Sequence, residues 1–169
     1  MSEDHGYGSL PHFPQGYIPP EGGKDKLPWV YIQQRMQESK NYWIATATPY
    51  GKPSVTPVWG VWLDDRLYFD GSPQTRRGRN IAANPQISVH LESGDEAVML
   101  DGEAVMFKEP PDRSLAERIA AAYKDKYAQA GYSPEPDQWN EGGLFEFVPH
   151  KVIAWTNFIK DPTRWILKP

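Results

Sequence analysis

The stretch Tyr42 to Glu92, YWIATATPYGKPSVTPVWGVWLDDRLYFDGSPQTRRGRNIAANPQISVHLE, decides the fold. Tyr42 to Thr48 is β-branched and aromatic, Pro49-Tyr50-Gly51-Lys52-Pro53 is a turn cluster, and Ser54 to Leu63 is apolar again, the pattern of a hairpin. Asp64-Asp65 then breaks the run. From Arg66 to Asp70, Leu67 and Phe69 oppose Tyr68 and Asp70 at the period of two that a pleated strand imposes. A meander of three strands is expected, with a fourth at Gln86 to Leu91.

Between the third and fourth strands stands Gly71-Ser72-Pro73-Gln74-Thr75-Arg76-Arg77-Gly78-Arg79-Asn80. Three arginines in four residues, a hydroxyl before them and a helix start over Thr75 to Ala83 bring bidentate donors, backbone N–H groups and a positive dipole end together. Such a site suits an anion; the alternative is a solvated basic helix face. Asn84-Pro85 ends the helix, because the residue before proline is pushed out of the α region.

The order of a strand ending in small residues, Thr75-Arg76-Arg77, Asn80-Ile81 and Asn84-Pro85 before another strand resembles the split-barrel flavin-binding superfamily, which includes pyridoxamine 5'-phosphate oxidase and deazaflavin (F420)-dependent reductases. Leu27-Pro28-Trp29, Tyr42-Trp43, Pro57 to Trp62 and Thr163-Arg164-Trp165 are similar to a bacterial subgroup related to that oxidase, and the resemblance spans Leu27 to Pro169. It implies a mainly β, six-stranded antiparallel split barrel at 27–169 behind an N-terminal arm at 1–26. It also implies a homodimer with the cofactor between subunits, and a flavin-dependent oxidoreductase acting on a small organic substrate. FMN is the expected cofactor and F420 the alternative; a non-enzymatic flavin- or haem-binding protein of the same fold is the other class.

Carried over by position, the resemblance makes Thr75, Arg76 and Arg77 the holders of the flavin phosphate, with Arg77 in a lysine's place. Asn80 belongs to the same segment, and Pro57, Val58 and Trp59 line the isoalloxazine. No catalytic side chain is required. The chain departs from the oxidase at Thr56, where the oxidase has arginine, and at Val61, where it has lysine. It also ends Thr163-Arg164-Trp165-Ile166-Leu167 in place of an Arg-Leu-His-Asp-Arg substrate signature. These departures argue against vitamin B6 oxidation.

The 169 residues suit one domain. A net charge of -4, with both signs interspersed, is unlike a nucleic-acid binder. The absence of cysteine excludes disulfides and thiolate chemistry and fits a cytoplasmic protein. No apolar run reaches the ~20 residues of a membrane helix, and the N-terminus lacks the order of a secretory signal. Met1 to Lys26 is too poor in aliphatic residues for a core element; its Tyr7, Phe13 and Tyr17 give it anchors on the body or a partner subunit, and a mobile tail is the alternative.

Helices are expected at 28–39, from the spacing of Trp29, Ile32 and Met36, and at 112–130, from Leu115, Ile119, Ala122, Tyr123 and Tyr127. Ser114 and Glu117 stand at capping-box spacing, which allows the second to begin at Ser114. Gly102 inside the strand Glu96 to Phe107 marks a bulge or barrel corner. Tyr132 to Gly143 reads as a lid or contact loop, and the last strands are Leu144 to Val148 and Lys151 to Phe158, with a corner at Pro149-His150. The four histidines show no metal-ligand spacing, so no metal is expected. His90 reads as a sheet residue, Asp64-Asp65 and Asp95-Glu96 as solvated turns. Trp59 and Trp62, three apart, face opposite sides of one strand.

Overall fold

The computed structural model describes residues 5, 6, 8–19 and 21–167. Along the chain lie α1 (Trp29–Glu38), β1 (Tyr42–Ala47), β2 (Pro53–Val58), β3 (Gly60–Leu63), β4 (Arg66–Asp70), α2 (Arg76–Ala83), β5 (Gln86–His90), β6 (Val98–Met106), α3 (Arg113–Tyr127), β7 (Leu144–Ala154) and β8 (Thr163–Ile166). All pairings are antiparallel, in the order β2-β1-β5-β6-β7-β4-β3, and β8 pairs with β7.

The two ends of that path are neighbours in sequence. Val58 ends β2 on β1, Gly60 begins β3 on β4, and only Trp59 lies between. One residue cannot span an open sheet, so the sheet curls until its ends meet. β2 and β3 are therefore halves of one bent strand, and six strands run round the curl, with β8 added outside that circuit. The run expected as a single strand over Ser54 to Leu63 is broken at Trp59 because its halves bond opposite neighbours.

The last expected pair of strands is corrected in the other direction, since Leu144–Ala154 is continuous through Pro149-His150. Gly102 pairs with Pro149 while Asp101 pairs with Lys151, so His150 is the extra residue of a bulge. A Cβ at Gly102 would lie 2.1 Å from the Val148 carbonyl oxygen. The glycine is thus required by close backbone approach, as expected of a barrel corner.

Inward side chains alternate along the strands, and Ile44, Trp62, Leu67, Phe69, Val89, Leu100 and Phe147 form the main core. Helix α1 closes one end of it with Trp29, Ile32 and Met36, all buried on one face. A second cluster lies outside the curl, where Ile119, Tyr123 and Tyr127 of α3 cover Val61 and Tyr68 together with Trp139. Helix α3 begins at Arg113 because Asp112 caps it, its carboxylate accepting from the Leu115 N–H at 3.1 Å. The Ser114–Glu117 box is unused, and Glu117 pairs with Arg113 instead. The helix gives way to a 3-10 turn at Ala128–Ala130, and Gly131 ends it at φ 85°.

Tyr127 locks the strand bend. Its hydroxyl accepts from the Gly60 N–H at 3.1 Å and faces the carbonyls of Lys40 (2.7 Å) and Gly60 (2.9 Å). Tyr127→Phe leaves that buried N–H without an acceptor and is expected to cost about 1–3 kcal/mol, read as a lower urea midpoint; an unchanged midpoint would contradict this role. In the arm, Ser9 exchanges two backbone bonds with Arg164, and Phe13 and Tyr17 meet Phe158 at 5.6 and 6.1 Å between ring centroids. The third expected anchor, Tyr7, lies outside the described residues. Among the described residues no helix is long and apolar enough to cross a membrane.

Candidate cofactor site

Four arginines are tied to carboxylates: Arg35 to Glu96, Arg66 to Glu146, Arg113 to Glu117 and Arg118 to Asp64. Among the described residues the other four, Arg76, Arg77, Arg79 and Arg164, form no such pair. Three of these stand in the first turn of α2. Thr75 is the N-cap of that helix, its Oγ accepting from the Gly78 N–H at 3.0 Å and donating to the Ser72 carbonyl at 2.9 Å. The hydroxyl is engaged in shaping the turn. Gly78 permits the close packing of that turn, since a Cβ there would meet the Pro73 backbone at 2.6 Å.

The arginines diverge from this start. Arg76 is exposed and donates to the Pro53 carbonyl of β2 at 3.1 Å. Arg77 is half-buried in the split between β2 and β4. Its Nη1 donates to Thr56 Oγ1 at 3.3 Å, its guanidinium lies 5.7 Å from the Phe69 ring centroid, and a Cβ on Gly71 would come within 2.7 Å of its Nη2. Burial pushes the Arg77 guanidinium below its ordinary pKa, and the nearby Asp70 carboxylate acts against that shift. Arg79 bonds back to the Gln74 carbonyl and is exposed.

The remaining expected residues do not all converge. Asn80 is buried, its amide donating to Thr46 Oγ1 at 2.9 Å. It therefore braces α2 against β1. Val58 is turned into the main core, whereas Pro57 is exposed on the outer side of β2. Trp59 also lies outside the main core, its indole stacked on Tyr127 at 4.8 Å and 15° with Lys40 Nζ 5.9 Å from its ring. Trp62 is in the main core, so the opposed faces expected for the two indoles are observed.

Sequence reasoning missed the groups that α3 and its following loop bring in. Tyr132 hydrogen-bonds Asp70 and accepts from Gln138 Nε2 at 2.7 Å. Asp70 is far from Tyr132 in sequence, and the short spacing to Gln138 matches no motif. Lys126 is a further case: its Nζ donates to the Tyr42 hydroxyl at 2.7 Å and the Gly60 carbonyl at 3.3 Å, and lies 4.7 Å from the Tyr42 ring centroid. Burial lowers its pKa to about 8.

That shift has a signed consequence. Between pH ~8 and the ordinary lysine value of about 10.4, the unfolded chain binds the proton that the folded chain has released, so this group raises stability as pH rises. The stability of wild type relative to Lys126→Met is expected to climb from about pH 8 to 10, measured by urea unfolding across the window. A flat difference would contradict a buried, destabilised ammonium.

The family model described as pyridoxamine 5'-phosphate oxidase matches residues 31–156, which include every strand but β8 and all of the α2 segment. The chain belongs to the pyridoxamine 5'-phosphate oxidase family. A curated member, the pyridoxine/pyridoxamine 5'-phosphate oxidase of Gluconobacter oxydans (strain 621H), is 28% identical, covering 66% of this chain and 68% of that protein. Solved structures share the fold: the haem storage protein HutZ of Vibrio cholerae has a TM-score of 0.54 at 23% identity, covering 71% of this chain and 88% of that one. An F420 reductase has a TM-score of 0.50 at 21% identity, covering 69% and 90%. The split barrel expected from the sequence is thus the observed fold.

Within this pyridoxamine 5'-phosphate oxidase family pattern, the two departures noted in the sequence have different surroundings. Thr56 faces the split and bonds Arg77, so the guanidinium of a neighbouring element occupies the place beside it. Val61 is 2% exposed beneath α3. A lysine there would be buried in the second apolar cluster, at a desolvation cost that valine avoids.

Proposed function

We propose that this chain is a flavin-binding oxidoreductase that holds FMN by its phosphate at Arg76 and Arg77 and acts on a small organic substrate. The observation that carries this is the set of guanidiniums in the first turn of α2 that, among the described residues, lack carboxylate partners, beside the edge of β2 away from β1. Among the described residues Arg77 Nε is buried without a hydrogen-bond partner, and of the first-turn N–H groups, which have no intrahelical acceptor, Thr75 Oγ takes only that of Gly78. An anionic phosphate answers both. The absent side chain at Gly71 keeps room beside Arg77 Nη2.

The exposed Pro57 and the half-covered Trp59 supply the flat wall for the ring, with Val58 contributing backbone only. The flavin supplies hydride or electron transfer when bound; the chain's task is to hold the phosphate and orient the ring. A second copy of the chain completes each pocket in this proposal, and the exposed Val55 and Pro57 on the outer side of β2 suit an isologous contact.

F420 is the second reading, favoured by Arg79: a second exposed guanidinium besides Arg76 suits a longer acidic tail. The test is the absorption spectrum and mass of the small molecule released from purified protein. FMN is expected, with F420 supporting the second reading. A haem Soret band with no flavin would overturn both.

A further inference from the structure

We propose that the cleft between the N-terminal arm and β8 binds a small organic monocarboxylate with an apolar body, Arg164 pairing with the carboxylate. Arg164 is the one arginine outside α2 with no carboxylate partner among the described residues; its side chain meets Ser9 Oγ at 3.4 Å. It lines a cavity of about 480 Å³ whose other walls are apolar side chains of the arm, Leu10, Phe13, Ile18 and Pro19 among them, with His12 alongside. Among the described residues no carboxylate lines it. An open cleft of this size, walled mostly by apolar side chains beside one cation, has the composition of a small-molecule site.

The walls are held in place before any ligand arrives. Ser9 and Arg164 exchange backbone bonds of 2.8 and 2.7 Å at one end of the arm segment, and the Gly23 N–H donates to the Ile159 carbonyl at 2.9 Å at the other. Between these two pins Phe13 stacks on Tyr17 at 5.6 Å, and both rings meet Phe158 edge-on. Binding therefore orders little that is not ordered already, which favours affinity. One guanidinium balances one carboxylate. A phosphate of higher charge would be left undercompensated among these apolar walls.

The cavity shares no residue with the α2 site, so its test is independent of flavin binding. Titrate the full chain with 4-phenylbutyrate and with the uncharged 4-phenylbutan-1-ol, following backbone amides by two-dimensional NMR. Saturable shifts are expected at Leu10, Phe13 and Arg164, with the acid binding about tenfold or more tightly than the alcohol, as loss of one charge-assisted bond implies. Arg164→Met should weaken the acid by a similar factor and leave the alcohol unchanged. The comparison of acid with alcohol needs only the wild-type chain, so a variant that fails to fold does not decide the matter. Equal affinity for acid and alcohol, shifts centred on residues 74–79, or no saturation at millimolar concentration would overturn the proposal.

Discussion

Replacing Arg76 and Arg77 together by alanine is expected to weaken FMN binding by at least about tenfold while the barrel stays folded, because each charge-assisted bond to a phosphate is worth about 1.5–3 kcal/mol. The lower bound is the cautious one. Arg77 already bonds Thr56 and lies near Asp70, so part of its charge is balanced before any ligand binds. Arg76→Ala alone removes an exposed cation and leaves the packing of the split untouched. Arg79→Ala should matter less for FMN, since that side chain is turned back to the Gln74 carbonyl. Fluorescence titration of FMN into these variants measures the differences, with circular dichroism to verify folding. Equal affinities in wild type and double variant would reduce the basic segment to a solvated helix face.

The second large effect is on stability. Gly102→Ala is expected to cost about 2–3 kcal/mol, at the upper part of the range for overpacking a tight site. Its Cβ would lie 2.1 Å from the Val148 carbonyl oxygen and 2.8 Å from Pro149 Cα, both backbone atoms, so β6 and β7 must separate at the bulge. Gly94 is the control. A Cβ there meets nothing within 4 Å, and Gly94→Ala should stay within about 0.5 kcal/mol of wild type. Urea midpoints of the two variants give the comparison, and a Gly102→Ala protein as stable as Gly94→Ala would show that the corner yields without cost.

What the sequence made legible was local chemistry. The Pro49–Pro53 turn, the helix start beside Thr75 and the stop at Asn84-Pro85 each depend on residues close in the chain, and each lies where expected; Gly102 announced its corner by residue type alone, though the approach that requires it comes from Val148. What it concealed was long-range. Nothing near Trp59 announces that Val58 bonds β1 while Gly60 bonds β4, because that break follows from closing the curl. Likewise Lys126 reaches Gly60, and Tyr132 reaches Asp70, only because α3 and the loop after it cover the outside of β3 and β4.

Two placements were within reach of periodicity. Pro57, Val58 and Trp59 cannot all face one ring, since neighbours on a strand alternate; Val58 is accordingly in the main core. Asn80 belongs to the buried face that α2 shares with Gly78 and Ile81, and it bonds Thr46. The family resemblance carried these residues as a block, whereas the side chains divide between core and surface.

The most direct measurement of the phosphate grip compares FMN with riboflavin, which has the same ring and no phosphate, in titrations of the wild-type protein at low salt. FMN should bind at least about tenfold more tightly, and added salt should narrow the gap by screening the exposed part of the contact. Equal binding of the two flavins, unchanged by salt, would contradict a site built on Arg76 and Arg77.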